Sequence, residues 1–107
     1  MSLKLKNNDI DYLFKAILNL KTMEECYNFF EDLCTVTEIK AMSQRMLVAK
    51  MLKEKRFYND IIKTTGASSA TISRVNRCLL YGENGYTTAL ERLQYTENRE
   101  IRHDRVY

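Results

Sequence analysis

A run of small polar side chains followed by arginines lies about two-thirds of the way along the 107-residue chain. The hydroxyl of Ser73 can donate to or accept from a base edge, and the methyl groups of Ala70 and Thr71 can contact the methyl group of thymine. Arg74 and Arg77 can pair with guanine or with phosphate. If one helix presents these residues together, they could read the major groove of duplex DNA.

Helical spacing separates these side chains from an apolar stripe. When Ile72 is placed at zero on a wheel of about 100° per residue, Val75, Asn76 and Leu79 fall within about 60° of it. The opposite side carries four of the candidates named above: Ala70, Ser73, Arg74 and Arg77. We therefore predict a helix from about residue 70 to residue 81 with an inner stripe and a polar outer face.

A shorter helix is predicted just before it. Its apolar residues fit about two helical turns: Phe57, Tyr58, Ile61 and Ile62. Gly66 supplies the left-handed residue that ends this helix. Ser68 or Ser69 then either caps the next helix or holds a phosphate at its N-terminus. Two short helices joined by a glycine-containing turn are typical of a helix-turn-helix, here over residues 57–81.

The basic charge of the chain is concentrated in the same region. Residues 50–80 carry seven Lys or Arg against two Asp or Glu, a local charge of +5, whereas the whole chain carries +3. A local cationic excess suits a surface that faces phosphate. Charge alone would equally fit a solvated helix face, so the interpretation depends on its combination with the turn glycine, the serines and the polar outer face.

The rest of the chain is also predicted to be helical. Proline is absent and there are three glycines, and these two residue types usually mark turns. Polar caps mark three helix starts upstream: Asn8, Thr22 with Glu25, and Thr35 with Glu38, where Thr37 is a rival cap. A last amphipathic helix follows Gly85. We expect one all-α domain over residues 1–93 and a charged tail over residues 94–107 that frays beyond Gln94 unless a partner orders it.

Apolar side chains recur at helical spacing in the first half of the chain. The two series are Ile10, Leu13, Phe14, Ile17 and Leu18, and then Met23, Cys26, Tyr27, Phe30, Leu33 and Cys34. The third helix is apolar around most of its circumference and needs cover on several sides. In a chain this short a second copy is the expected cover, so we predict a homodimer. The cysteines are expected to be reduced and buried.

Other classes of protein are disfavoured. No stretch approaches the roughly 18–20 apolar residues that cross a membrane, and the N-terminus does not resemble a secretory signal, so a soluble cytoplasmic protein is expected. The only histidine, His103, lies far from all three cysteines, which argues against a zinc site. Catalysis needs convergent titratable groups that the chain does not offer. We expect no enzyme activity, no metal and no obligate cofactor.

The stretch Gly66–Arg74 (GASSATISR) closely resembles the GA-x-x-ATI-[ST]-R signature of the Trp repressor family. The stretch Leu33–Arg45 (LCTVTEIKAMSQR) is similar to the matching helix start and its arginine. Other segments resemble the YerC/YecD branch more than the tryptophan-binding repressors: Tyr12–Phe14, Glu24–Tyr27, Phe29–Cys34 and Arg77–Leu79. The resemblance covers about residues 8–93.

The resemblance implies an intertwined helical dimer that regulates transcription, as a repressor. Its two recognition helices would enter successive major grooves of a near-palindromic operator, about 34 Å apart. By position, contacts with bases or phosphates are implied for these residues: Ser68, Ser69, Ala70, Thr71 and Ser73. Asn59 and Lys63, on the first helix of the motif, would contact the DNA backbone.

The resemblance also bears on a small-molecule effector. In the tryptophan-responsive members two arginines flank the indole ring, and Arg45 and Arg74 occupy the matching places. The residue after the second arginine is glycine in those members and Val75 here. Overfilling a packed site costs about 1–3 kcal/mol. We therefore expect that tryptophan is not the effector, and that Arg45 makes a structural ion pair or binds a smaller anion.

One rival class remains open, a helical dimerisation or scaffold module whose basic segment meets an acidic protein. It predicts binding that is insensitive to DNA sequence. A sequence-specific reader instead retains affinity for its operator over bulk DNA as the salt concentration rises.

Overall fold

Six α-helices account for most of the residues that the structure describes. The computed structural model describes the backbone over residues 6–105 and the side chains over residues 6–98. The helices are α1 Asn8–Leu18, α2 Met23–Leu33, α3 Val36–Lys53, α4 Tyr58–Thr65, α5 Ser69–Tyr81 and α6 Gly85–Arg105. The predicted all-α fold is confirmed. Over the same residues, none of the helices combines the length and apolar character that a membrane crossing requires.

Side-chain caps fix where the first two helices begin. The Ile10 N–H donates to Asn7 Oδ1 over 2.8 Å, so α1 is capped by Asn7 and not by the predicted Asn8. At the start of α2 the Glu25 N–H donates to Thr22 Oγ1 over 3.0 Å, as the sequence predicts. Each bond satisfies a backbone donor that has no partner within its own helix.

The start of α3 is a reciprocal capping box. The Thr35 N–H donates to Glu38 Oε1 over 2.8 Å, and the Glu38 N–H donates to Thr35 Oγ1 over 3.1 Å. Thr35, and not its rival Thr37, is therefore the cap. Hydrogen bonds from the backbone and then the side chain of Thr35 lower the pKa of Glu38 from its ordinary value.

The chain divides into two compact units, one ending at Met42 and the other beginning at Ser43, with α3 running through the boundary. In the N-terminal unit none of the described side chains is fully buried. Tyr12, Leu18 and Met23 expose 78, 82 and 75 % of their surface. The apolar series predicted for α1 and α2 therefore do not close a core within this unit, because two short helices offer each other too little surface.

The C-terminal unit holds the core. Its buried side chains come from α3, α4, the following turn and α5: Val48, Ala49, Met51, Ile61, Ala67, Ile72 and Val75. Partly buried side chains from α3, α5 and α6 pack against them: Leu52, Leu79, Tyr86 and Leu90. The core thus holds α4 and α5 against the second half of α3.

The expectation of buried cysteines was wrong. Cys26 and Cys34 are half-buried, Cys78 is exposed, and all three are free thiols. Cys78 lies six residues beyond Ile72, which turns it about 120° away from the inner stripe of α5.

The C-terminal segment also differs from its prediction. α6 continues past Gln94 to Arg105, and the Thr96 hydroxyl donates to the Arg92 carbonyl over 3.0 Å. Neither glycine nor proline follows Gly85, so nothing in the sequence stops a helix once it has formed. Residues 106–107 of the predicted tail lie outside the described residues, and the division at residue 93 stays a prediction.

Candidate nucleic-acid interface

The turn between α4 and α5 is built on one left-handed residue. Gly66 has φ 71° and ψ 6°, and its N–H donates to the Ile62 carbonyl over 2.8 Å. A Cβ added to Gly66 would meet nothing within 4 Å. The glycine is therefore required by the backbone conformation and not by lack of space.

Side-chain hydrogen bonds fix this turn to the body of the unit. Gln44 Nε2, on α3, donates to the Thr65 carbonyl over 3.1 Å. The Thr65 hydroxyl donates to the Ile61 carbonyl over 2.7 Å and accepts from the Ala67 N–H over 3.0 Å. Ala67 is itself buried. These bonds and this packing set the angle at which α5 leaves α4.

One side of α5 is anchored in the core. Ile72 and Val75 are fully buried, and Asn76 and Leu79 are half-buried. The predicted inner stripe is therefore confirmed. Because the stripe is held by packed side chains, the opposite side of α5 has a fixed orientation.

The outer face of α5 is exposed to solvent. All four residues predicted there, Ala70, Ser73, Arg74 and Arg77, are exposed. Neither arginine makes an ion pair with any residue that the structure describes. Two unpaired cations beside small side chains form a surface that can approach a polyanion closely.

At the N-terminus of α5 the two serines differ. Ser68 is the cap, because its Oγ accepts from the Thr71 N–H over 3.1 Å and donates to Thr71 Oγ1 over 3.1 Å. Of the two alternatives for the serines, Ser68 takes the capping one. Ser69 is exposed, and its hydroxyl has no partner among the described side chains and backbone. Ser69 is therefore the hydroxyl that is available to a ligand.

The first helix of the motif contributes Asn59 and Lys63. Both are exposed, and they lie four residues apart on the same side of α4. Phe57, at the N-cap position before α4, makes no side-chain cap hydrogen bond. The candidate backbone contacts are therefore accessible from solvent.

The turn that precedes α4 contains a feature that the sequence analysis missed. Lys55 has φ 62°, in the left-handed region, and its N–H donates to the Leu52 carbonyl over 3.0 Å. The Arg56 N–H donates to the Met51 carbonyl over 3.1 Å. This pair of bonds ends α3 in the way that usually employs glycine. The sequence gives no signal for it, because none of residues 54–57 is the glycine that such a turn usually employs.

The candidate effector site at Arg45 and Arg74 has fewer of its predicted features than the outer face of α5 has. Arg45 is half-buried and forms no ion pair within the described part of the chain, so the predicted structural pair is not made there. Arg74 is exposed. Val75 is 1 % exposed and belongs to the core cluster, so its side chain fills the place that glycine would leave open. Among the described residues, no three His, Cys, Asp or Glu side chains come together.

Known proteins share this arrangement. The Trp repressor protein family matches residues 8–94. The uncharacterised protein YerC of Bacillus subtilis (strain 168) is 54 % identical over 94 residues, which cover 88 % of this chain and 90 % of that protein.

Solved structures are similar as well. A TrpR-like protein from Eubacterium eligens ATCC 27750 is 57 % identical with a TM-score of 0.84, over 87 % of this chain and 96 % of that one. A candidate Trp repressor from Staphylococcus aureus is 53 % identical with a TM-score of 0.82, over 85 % of this chain and 91 % of that one.

Proposed function

The chain belongs to the Trp repressor family, in the branch that includes YerC, and we propose that it is a sequence-specific DNA-binding regulator of transcription that acts as a repressor. The observation that carries the proposal is the two-sided character of α5. Its inner residues Ile72 and Val75 are fully buried, while the outer residues are exposed. A helix fixed on one side and polar on the other is suited to the major groove.

In this proposal the residues of α5 have different roles, which follow from the size and charge of their side chains. Ala70 and Ser73, being short, let the helix backbone approach the groove floor, where a hydroxyl can bond a base edge and a methyl can contact thymine. Arg77 and Arg74 pair with guanine or phosphate. Ser69 contacts the phosphate nearest to the N-terminus of α5.

The residues next to these contacts either hold the start of α5 in place or bind the DNA backbone. Ser68 and Thr71 hold the start of the helix through their paired hydroxyls. Asn59 and Lys63 bind the backbone from α4. Such backbone contacts position the protein on the duplex and carry no sequence information themselves.

A homodimer completes the proposal. The described part of the N-terminal unit has exposed aromatic and aliphatic side chains and no buried one. Exposed apolar side chains in this number favour an interaction site, and a second copy is the partner that closed symmetry supplies. Two copies of α5 would then read two half-sites about one helical turn apart. The protein would act in the cytoplasm, with the chromosome.

Selection of random duplexes on the purified protein tests this function. We expect a near-palindrome with half-sites about 10 base pairs apart, centre to centre. The variant in which Ser73→Ala and Arg74→Ala are combined should lose about 2–6 kcal/mol of operator affinity for each subunit, since each base contact is worth about 1–3 kcal/mol. Circular dichroism should show an unchanged helix content, because both residues are exposed.

Two results would contradict the proposal. Operator binding that survives the double variant would mean that the outer face of α5 does not read DNA. Recovery of no sequence at all, together with capture of acidic polypeptides that salt releases, would favour a scaffold module instead.

A further inference from the structure

We propose that the turn joining α3 to α4, residues 54–57, is a second DNA contact, in which Lys55 and Arg56 bind the phosphate backbone outside the groove that α5 reads. The inference rests on the proposed function, since it names a further part of the same DNA-binding surface. It assigns a role to two residues that neither the helix-turn-helix pattern nor its spacing singles out.

The backbone conformation at position 55 favours glycine, and the chain has lysine there. Lys55 has φ 62°, where a side chain clashes and glycine does not. The hydrogen bonds from Lys55 to Leu52 and from Arg56 to Met51 hold that conformation. A non-glycine residue in a strained conformation points to a use for its side chain.

The charge of the turn is available to a partner. Lys55 and Arg56 are consecutive and exposed, and neither pairs with an acidic group in the part of the chain that the structure describes. Glu54 and Asp60 flank them in sequence without forming such a pair. Two adjacent unpaired cations repel each other, and an anion that bridges them removes the repulsion. The phosphate backbone is the polyanion that the proposed function brings to this unit.

The position of the turn fits the same duplex. Arg56 lies in the turn that leads directly into α4, the helix that carries the candidate backbone contacts Asn59 and Lys63. All of these residues belong to the compact unit that contains α5. A duplex that lies along α4 and α5 would therefore meet Lys55 and Arg56 as the next cations along the backbone.

A matched pair of glycine variants tests the proposal. Asn84, in the turn between α5 and α6, also has φ 62°, is exposed and is uncharged. Lys55→Gly and Asn84→Gly therefore each place glycine at a φ of 62°, and Lys55→Gly alone removes a cation. The measurement is the dissociation constant of each protein for a mixed-sequence duplex of about three helical turns, by fluorescence anisotropy over a series of KCl concentrations.

For Lys55→Gly we expect the slope of log K against log[KCl] to become shallower by about 0.9 for each subunit that loses a phosphate contact. Asn84→Gly should keep the wild-type slope. The preference of Lys55→Gly for the selected operator over the mixed duplex should stay unchanged, because phosphate contacts do not discriminate sequence. Thermal unfolding should show that both variants are folded.

The outcomes separate the two proposals. A wild-type slope in Lys55→Gly would overturn the contact and leave the DNA-binding function standing. An equally shallow slope in Asn84→Gly would also overturn it, because the effect would then come from the backbone. A wild-type protein that binds neither duplex would overturn the proposed function, and the contact with it.

Discussion

The substitution Ser68→Asp separates capping from DNA contact at the start of α5. Aspartate caps a helix as well as serine does, since its carboxylate can accept the Thr71 N–H bond that Ser68 Oγ accepts at 3.1 Å. Its charge also favours the positive end of the helix. The folded state should therefore keep its free energy of unfolding, whereas Ser68→Ala, which loses the cap, should give up about 1 kcal/mol.

The same aspartate should weaken operator binding. If the N-terminus of α5 approaches a phosphate, the new carboxylate lies about 6 Å from it, and at an effective dielectric constant of roughly 40 the repulsion is about 1.4 kcal/mol. That energy is about a tenfold loss of affinity for each subunit, and about a hundredfold loss for a dimer. Isothermal titration calorimetry with the selected duplex, at one fixed salt concentration, measures it.

Asn7→Asp is the matched control. Asn7 caps α1 in the N-terminal unit through a 2.8 Å bond from Ile10, so the substitution adds the same charge and preserves the same kind of cap. We expect it to change operator affinity less than about twofold. If Ser68→Asp binds like wild type, or if both variants lose affinity equally, α5 does not approach DNA by its N-terminus.

Three further predictions concern the turn, the effector and the start of α3. Gly66→Ala should lower the free energy of unfolding by about 1 kcal/mol through its positive φ alone, whereas Gly85→Ala, at an open position in α6 without positive φ, should not lower it; urea unfolding measures both. Calorimetry should detect no micromolar tryptophan binding, because Val75 fills the core. NMR titration should place the pKa of Glu38 below its ordinary value, and Thr35→Val should raise it.

Each of these three predictions would be contradicted by a different result. Equal losses in Gly66→Ala and Gly85→Ala would mean that φ at Gly66 is not the cause. Saturable tryptophan binding would mean that the core opens around Val75. For Glu38, whose pKa is lowered by folding, the associated stability is present above its unfolded pKa and is lost as the pH falls through the folded value. The free energy of unfolding of the wild type should therefore fall more with decreasing pH than that of Thr35→Val. An equal fall in both proteins would contradict the capping box.

The helix-turn-helix was predictable because its determinants are local. The period of Ile72, Val75 and Leu79 and the need for glycine at Gly66 follow from helix geometry and backbone sterics within a few residues. Thr22 and Thr35 were identifiable as caps for the same reason. The structure adds which alternative each serine takes, since the Thr71 N–H donates to Ser68 Oγ and makes Ser68 the cap.

Other features depend on contacts that a periodic pattern does not contain. Leu18 and Met23 have core spacing but are exposed, because periodicity shows which residues share a helix face and not what covers that face. Cys78 was expected to be buried from its residue type, although its register turns it outward. The conformation of Lys55 is held by hydrogen bonds from the Lys55 and Arg56 N–H groups to two carbonyls at the end of α3. The residue type at position 55 does not predict it.

The central claim is that the outer face of α5 contacts DNA, and amide chemical shifts measured by NMR on adding the selected duplex test it most directly. We expect the largest changes over residues 69–77, smaller ones at Lys55, Asn59 and Lys63, and little change over residues 8–33. Shifts that concentrate in the N-terminal unit and leave residues 69–77 unchanged would contradict it.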